Sequence, residues 1–159
     1  MNIDLRVHDS ANTGLFPVHK NKFKVNTKGR TKDPLDMVTI NGLENFAPSI
    51  DGGIEEFYLM EDEGWVSRML TAKSLGFTFT GKRIYGDPGN DYIGDGILNI
   101  GQEADSEFEW EFPSGAKLTM DCVISLTTPG GGDTTNVNGL EFELLSHGKP
   151  TFTPASEII

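Results

Sequence analysis

Five carboxylates stand at alternate positions in the stretch EADSEFEWEF: Glu103, Asp105, Glu107, Glu109 and Glu111. Carboxylates at this density suit three kinds of chemistry. They ligate hard divalent cations, they work in pairs as acid and base in glycoside hydrolysis, and in number they create a field that steers or repels charged polymers. Spacing decides among these. A β-strand points successive side chains to opposite faces, so all five would share one side, with Ala104, Ser106, Phe108, Trp110 and Phe112 on the other. Acids two residues apart on a strand are separated by roughly 7 Å, too far to wrap one ion without a loop, and they repel. The aromatic face is core material. The acidic face needs either a basic partner or a role that uses repulsion.

Other chemical signals are weaker. DPGNDYIGDG departs from a calcium loop, with Gly89 at the third position, Tyr92 where the central glycine belongs and no glutamate at the twelfth. His8, His19 and His147 have no Ser or Cys motif near them, and no nucleophile elbow, HExxH or paired cysteine ligands occur. Gly130–Gly132 lacks the Lys and Ser/Thr of a phosphate-binding loop. Acid pairs are too common in this chain to single out a glycosidase. No catalytic residue, metal or cofactor is expected, and the chain reads as a non-enzyme.

The elements that position the acidic run follow from composition and alternation. The chain has 159 residues, enough for one domain with a real core, and its 19 Gly and 8 Pro favour turns and sheets over long helices. Cys122 is the single cysteine, so an intrachain disulfide is impossible, and its apolar-alternating surroundings read as core. No apolar run approaches the roughly 20 residues of a membrane span, and MNIDLRVHDS lacks the apolar stretch of a signal peptide, so a cytoplasmic protein or assembly is expected.

Charge is unevenly distributed. The net charge of −11 argues against tight nucleic-acid binding, which depends on Lys and Arg. Yet residues 1–33 hold seven bases against three acids, leaving six bases against twenty-one acids in the rest. Residues 1–36 therefore read as an extended basic arm with at most one strand, KNKFKVNTK, in which Lys20, Lys22, Lys24 and Lys28 share one parity and Phe23 and Val25 the other. This strand is the basic counterpart of the acidic run. The two could neutralise each other across a ladder or a subunit boundary, each exposed pair contributing at most about 1 kcal/mol.

From Met37 the texture is that of a β-meander or Greek key. MVTINGLENFAP alternates around a turn or bulge at Asn41-Gly42, EEFYLMEDEGWVSRML breaks at the acidic turn Glu61–Gly64, and SLGFTFTGKR places Leu75, Phe77 and Phe79 on one face. Asp87 can cap a helix with Pro88 in its first turn, and Ile93, Ile97 and Ile100 recur at helical spacing, which predicts a helix near 87–99 despite Gly94 and Gly96. Then follow the acidic strand, a turn at Pro113–Gly115, the strand Lys117–Thr127, a mobile loop at Pro129–Gly139, the strand LEFELLSH and a tail. The fold class is mainly β, a sandwich or barrel with one flanking helix. Trp65, Tyr58, Tyr85 and Tyr92 could form a sugar-stacking platform, so a carbohydrate-binding β-sandwich is an alternative reading.

The block GWVSRMLTAKSLGFTFTGKRIYGDPGNDYIGD resembles a segment of major tail proteins, the tail tube subunits of long-tailed bacteriophages and prophages of Gram-positive hosts. The resemblance rests on Gly64-Trp65, Arg68, Lys73-Ser74, Gly81-Lys82-Arg83 and Tyr85-Gly86-Asp87-Pro88-Gly89-Asn90-Asp91, with LEFELLSHGKPTFTP similar to the family's closing strand. It implies a tube domain over 37–154, with 155–159 as a C-terminal tail. It also implies hexameric rings stacked into a hollow tube that conducts DNA, joined through loops and arms. Partners would be further copies of the chain and tail initiator, tape-measure and terminator proteins. The location would be the virion tail, assembled in the host cytoplasm, with no membrane contact. On this reading the acids of Glu103–Glu111 either line the lumen, where they repel DNA phosphates, or meet the Lys20–Lys28 arm of an adjacent subunit.

Overall fold

The computed structural model describes residues 3–5 and 14–155. Arg6, His8 and Asp9 lie outside these residues, as do the last four residues of the C-terminal tail. Seven strands form one antiparallel sheet: β1 (Lys22–Asn26), β2 (Met37–Thr39), β3 (Leu43–Tyr58), β4 (Val66–Lys82), β5 (Asp105–Glu111), β6 (Lys117–Thr128) and β7 (Gly139–Thr153). Their spatial order is β2-β1-β5-β6-β7-β4-β3. The expected mainly β, barrel-like class with one helix is borne out.

The sheet curls until its ends face one another, because each strand has one apolar face and the only way to cover it is to roll it inward. Phe23 of β1 and Phe46 of β3, near opposite ends of the strand order, meet with ring centroids 4.7 Å apart. Phe23 also packs edge-on to Phe79 and stacks on Phe108, and Phe79 stacks on Phe142 at 4.9 Å. Val25, Met120, Cys122, Leu140 and Leu144 fill the remaining space. Such ring pairs contribute about 0.5–1.5 kcal/mol each beyond the area they bury. Burial pushes the Cys122 thiol up to about 12, as its apolar setting in the sequence suggests.

The stretch read as an arm thus contributes a strand to the body. Residues 22–26 form β1, which lies between β2 and β5 rather than at the margin, and Phe23 and Val25 are buried in the core. Two large apolar side chains at strand spacing were enough to recruit a segment whose other parity is lysine.

The helix α1 (Pro88–Gly94) is shorter than the expected span of 87–99. Ile93 is buried, but Ile97 and Ile100 are 64% and 81% exposed, so the apolar spacing that suggested a longer helix does not form a packed stripe. The glycines explain the early stop. Each costs about 1 kcal/mol in a helix relative to alanine, and the Gly96 amide turns back to the Ile93 carbonyl.

The GKRxYGDPGNDY run is a local knot that holds α1 on the β2–β3 corner. Asn90 is fully buried and all its polar atoms are used. Its Oδ1 accepts from the Ile84 amide and from Arg83 Nη1, and its Nδ2 donates to the carbonyls of Asn41 and Lys82. Arg83 also donates to Asp91 at 2.7 Å and Asp95 at 3.2 Å, and its guanidinium lies 4.4 Å from the Tyr85 ring centre. Gly94 is required beneath it, since a Cβ there would collide with the guanidinium.

Asp87 caps α1 by accepting from the Asn90 amide at 3.0 Å, and it also accepts from Asn41 Nδ2 at 2.7 Å. Desolvation pushes its carboxyl up, but the hydrogen bonds from the Asn41 side chain and the Asn90 and Asn41 amides outweigh it and leave the pKa below the ordinary 3.8. A depressed carboxylate contributes stability that is fully present above the ordinary value and is lost as pH falls through the folded one. The urea midpoint of the wild type should therefore exceed that of Asp87→Asn by a constant amount from pH 5 to 7, and the gap should shrink below about pH 4. A gap that stayed constant to pH 2 would contradict the hydrogen-bond argument.

Candidate assembly surfaces

The acidic run does not form one bare strand face. Glu103 lies in the 3-10 turn Gly101–Ala104 before β5 and is exposed, so it stands off the ladder. The other four each face a base of the same chain. In the antiparallel register Lys22 lies opposite Glu111 and Lys24 opposite Glu109, and Lys117 of β6 flanks Glu111 from the other side. Asp105 pairs with Arg30 at 3.3 Å, and Arg30 also donates to the carbonyls of Ser106 and Cys122.

Glu107 goes furthest. It is only 5% exposed, and its Oε1 accepts from Asn26 Nδ2 at 3.0 Å and from the Lys32 amide at 2.6 Å. Lys32 Nζ adds ion pairs to Glu107 Oε2 and to Asp121. Lys32 adopts a left-handed backbone, φ 61°, which costs about 1 kcal/mol or more and is held in place by the Glu107 contact. The segment after β1 is therefore stapled across the outer face of β5 and β6. Of the lysines named from the sequence, Lys20 is exposed in a 3-10 turn, Lys22 and Lys24 belong to β1, and Lys28 pairs with Asp36 at 3.6 Å. Among the described residues, one buried side-chain polar atom has no hydrogen-bond partner: Glu109 Oε2. Asn26, Arg30 and Lys32 were not singled out from sequence. Their signal was the turn-rich TKGRTKD, dense in cations, directly after a strand.

A bare face does exist beside this one. Glu141 and Glu143 of β7 are exposed, flanked in register by Thr80 and Thr78 of β4 and by Thr128 and Ser125 of β6. This surface is acidic, built of short polar side chains, and carries no cation in those rows.

A second surface was hidden in the sequence. β3 and β4 pair over their full length as a hairpin whose outer half leaves the body. Ile50, Gly52, Ile54, Glu56 and Tyr58 alternate on the side that continues the core face of Phe46, and a bulge between Gly53 and Ile54 lets Leu70 and Val66 fall on that same side. Ile50, Ile54, Tyr58 and Leu70 are exposed, so a largely apolar stripe, crossed by the Glu56–Arg68 ion pair at 3.0 Å, runs outward with nothing upon it among the described residues. At the tip Met60 is 97% and Trp65 78% exposed, around Glu61, Asp62 and Glu63. The alternating apolar residues were legible, but Gly52-Gly53 and Pro48 disguised one continuous strand. β3 is also an open edge of 16 residues, which a stable monomer would normally cover or blunt.

The sugar-platform residues are dispersed. Trp65 and Tyr58 belong to the hairpin end, Tyr85 lies against Arg83, and Tyr92 packs on the core. Pro129–Gly139, expected as a mobile loop, folds back on itself: the Gly139 amide donates to the Gly131 carbonyl, and the Asn138 carbonyl accepts from the Arg83 amide. Among the described residues no group of three His, Cys, Asp or Glu side chains is placed to hold a metal ion, and no helix is long and apolar enough to cross a membrane.

No family model matches the sequence, and no curated protein does. Solved structures do match over nearly the whole chain. A chain of the tail of an empty gene transfer agent particle, refined with C6 symmetry, aligns with a TM-score of 0.69 at 18% identity, covering 88% of this chain and 100% of that one. A chain of the extracellular contractile injection system PVC sheath-tube complex aligns with a TM-score of 0.58 at 11% identity, covering 90% and 94%. A chain of the anti-feeding prophage tube-terminating cap gives 0.59 at 14%, covering 92% and 96%. The rolled sheet, single short helix and long hairpin are thus those of a tail-tube-like fold.

Proposed function

We propose that this chain is a structural subunit of a tail tube, without catalytic activity, which assembles into hexameric rings stacked around a DNA-conducting bore. The observation that carries the reading is the β3–β4 hairpin, whose core face continues into solvent as Ile50, Ile54, Leu70 and Tyr58. An apolar strand pair with two open edges is a poor element for a monomer and a good one for a lattice of identical subunits. The likeness to a chain from a C6-symmetric tail supports six copies per ring. The resemblance of the GKRxYGDPGNDY block supports a tube of a long-tailed phage or prophage of a Gram-positive host. Tail initiator, tape-measure and terminator proteins are its partners, and the assembled protein resides in the virion tail after assembly in the host cytoplasm.

On this reading the face toward the bore is that of Glu141, Glu143, Thr78 and Thr80. It offers DNA a short-chained acidic surface that repels phosphate, with no Lys or Arg in the rows of Glu141 and Glu143 for counterion-release binding. Asp105, Glu107, Glu109 and Glu111 serve less well, because Lys22, Lys24, Arg30 and Lys32 of the same chain already face them.

Negative-stain electron microscopy after concentration, beside light scattering of the fresh sample, tests the proposal. Hollow rings or tubes are the expected result. Persistent monomers across protein concentration and ionic strength would count against it, and a glycan array would then probe the carbohydrate-binding reading.

A further inference from the structure

Where the rolled sheet closes, β1 and β3 do not hydrogen-bond, and a cleft of about 390 Å³ opens between them. Ile40, Leu43 and Phe46 line it with apolar surface, and His19 and Lys22 line it with basic groups, Lys22 lying also opposite Glu111 of β5. Glu44, the acid in its wall, already pairs with Lys82 at 3.5 Å. The cleft has room for on the order of ten water molecules, which an apolar side chain could displace.

The hairpin tip has the complementary character. Met60 and Trp65 protrude, and Glu61, Asp62 and Glu63 surround them with negative charge. We infer that the hairpin tip of one copy seats in the β1–β3 cleft of the next, with Met60 or Trp65 on the apolar floor and the acids against His19 and Lys22. The tip cannot reach its own cleft. Phe46 lines the cleft and Tyr58 ends the same strand twelve residues later, roughly 40 Å away along an extended chain. A tip and a cleft on different parts of one chain make a head-to-tail contact, which closes into a ring or propagates as a stack. This inference rests on the self-assembly reading and gives it a specific contact.

Disulfide trapping between two variants tests it. His19→Cys and Met60→Cys proteins are mixed under assembly conditions with a mild oxidant and resolved on a non-reducing gel, with electron microscopy of the same samples. Both positions are exposed, and Cys122 does not compete because it is buried with its thiol pushed up to about 12. The expected result is a covalent dimer at least about tenfold more abundant in the mixture than in either variant alone or in a Lys149→Cys with Met60→Cys mixture. Adding Glu61→Lys and Glu63→Lys to the Met60→Cys protein should lower the yield several-fold. Hollow tubes without the dimer would overturn the tip-in-cleft contact and leave the tube reading intact. Neither tubes nor dimer would overturn both, and a dimer without tubes would establish the contact while sinking the tube.

Discussion

Glu107→Lys is expected to unfold the protein rather than to recolour a surface. The wild-type carboxylate is 5% exposed and accepts from Asn26 Nδ2 and the Lys32 amide, with the Lys32 ammonium 3.7 Å from its other oxygen. A lysine there places a second cation against Lys32 and faces two donors with a third. Breaking a buried, hydrogen-bonded charge contact in this way costs on the order of 3–5 kcal/mol, a large share of the roughly 5–15 kcal/mol that holds a domain together. Glu107→Gln keeps an acceptor oxygen and should cost only about 1–2 kcal/mol. Urea unfolding followed by tryptophan fluorescence measures both, and Trp110, bonded through Nε1 to Asn21 at 2.9 Å beside β1, is well placed to report. A Lys variant as stable as wild type would show that Glu107 is not the staple of the segment after β1. Glu103→Lys, in contrast, lies in an exposed turn and should be near neutral.

Ile54→Asp combined with Leu70→Asp should leave the monomer folded and abolish assembly. The two residues face each other in register on the apolar side of the hairpin, and each is more than half exposed in a single copy, at 61% and 52%. Removing them from water in an interface contributes about 1.5–3 kcal/mol apiece. Their loss weakens each contact by about 3–6 kcal/mol before any cost of burying carboxylates is added, so the concentration needed for assembly rises by roughly two to four orders of magnitude. Sedimentation of tubes gives that concentration, and the urea midpoint gives the control. Normal tubes from the double variant would exclude the hairpin stripe as an interface. A collapsed midpoint would mean instead that the stripe belongs to the core of the single subunit.

These two regions differ in how far they could be read in advance. Alternation identified the opposed parities of Lys22, Phe23, Lys24 and Val25 and of Glu107, Phe108, Glu109 and Trp110, and with them the option that the two runs meet across a ladder. Which acid meets which base was not legible, because β1 and β5 lie far apart in the chain and register is fixed only when both apolar faces enter one core. The staple from Glu107 to the Lys32 amide depends on a turn conformation with no periodicity to read. The helix shows the opposite failure. Ile93, Ile97 and Ile100 have helical spacing, yet Gly94 and Gly96 make continuation too costly and α1 stops at Gly94.

The strand material, the cap and first turn of α1, the core character of Cys122 and Phe108, and the uneven charge were all legible residue by residue, because they follow from side-chain periodicity and local hydrogen bonding. Folding in three dimensions added that most of the acidic run is matched within the chain, that residues 22–26 belong to the sheet, and that the hairpin carries its apolar face out into solvent. Those outcomes are set by long-range pairing. A strand's two faces are written locally, but what covers each face is settled only when distant strands compete for the same core.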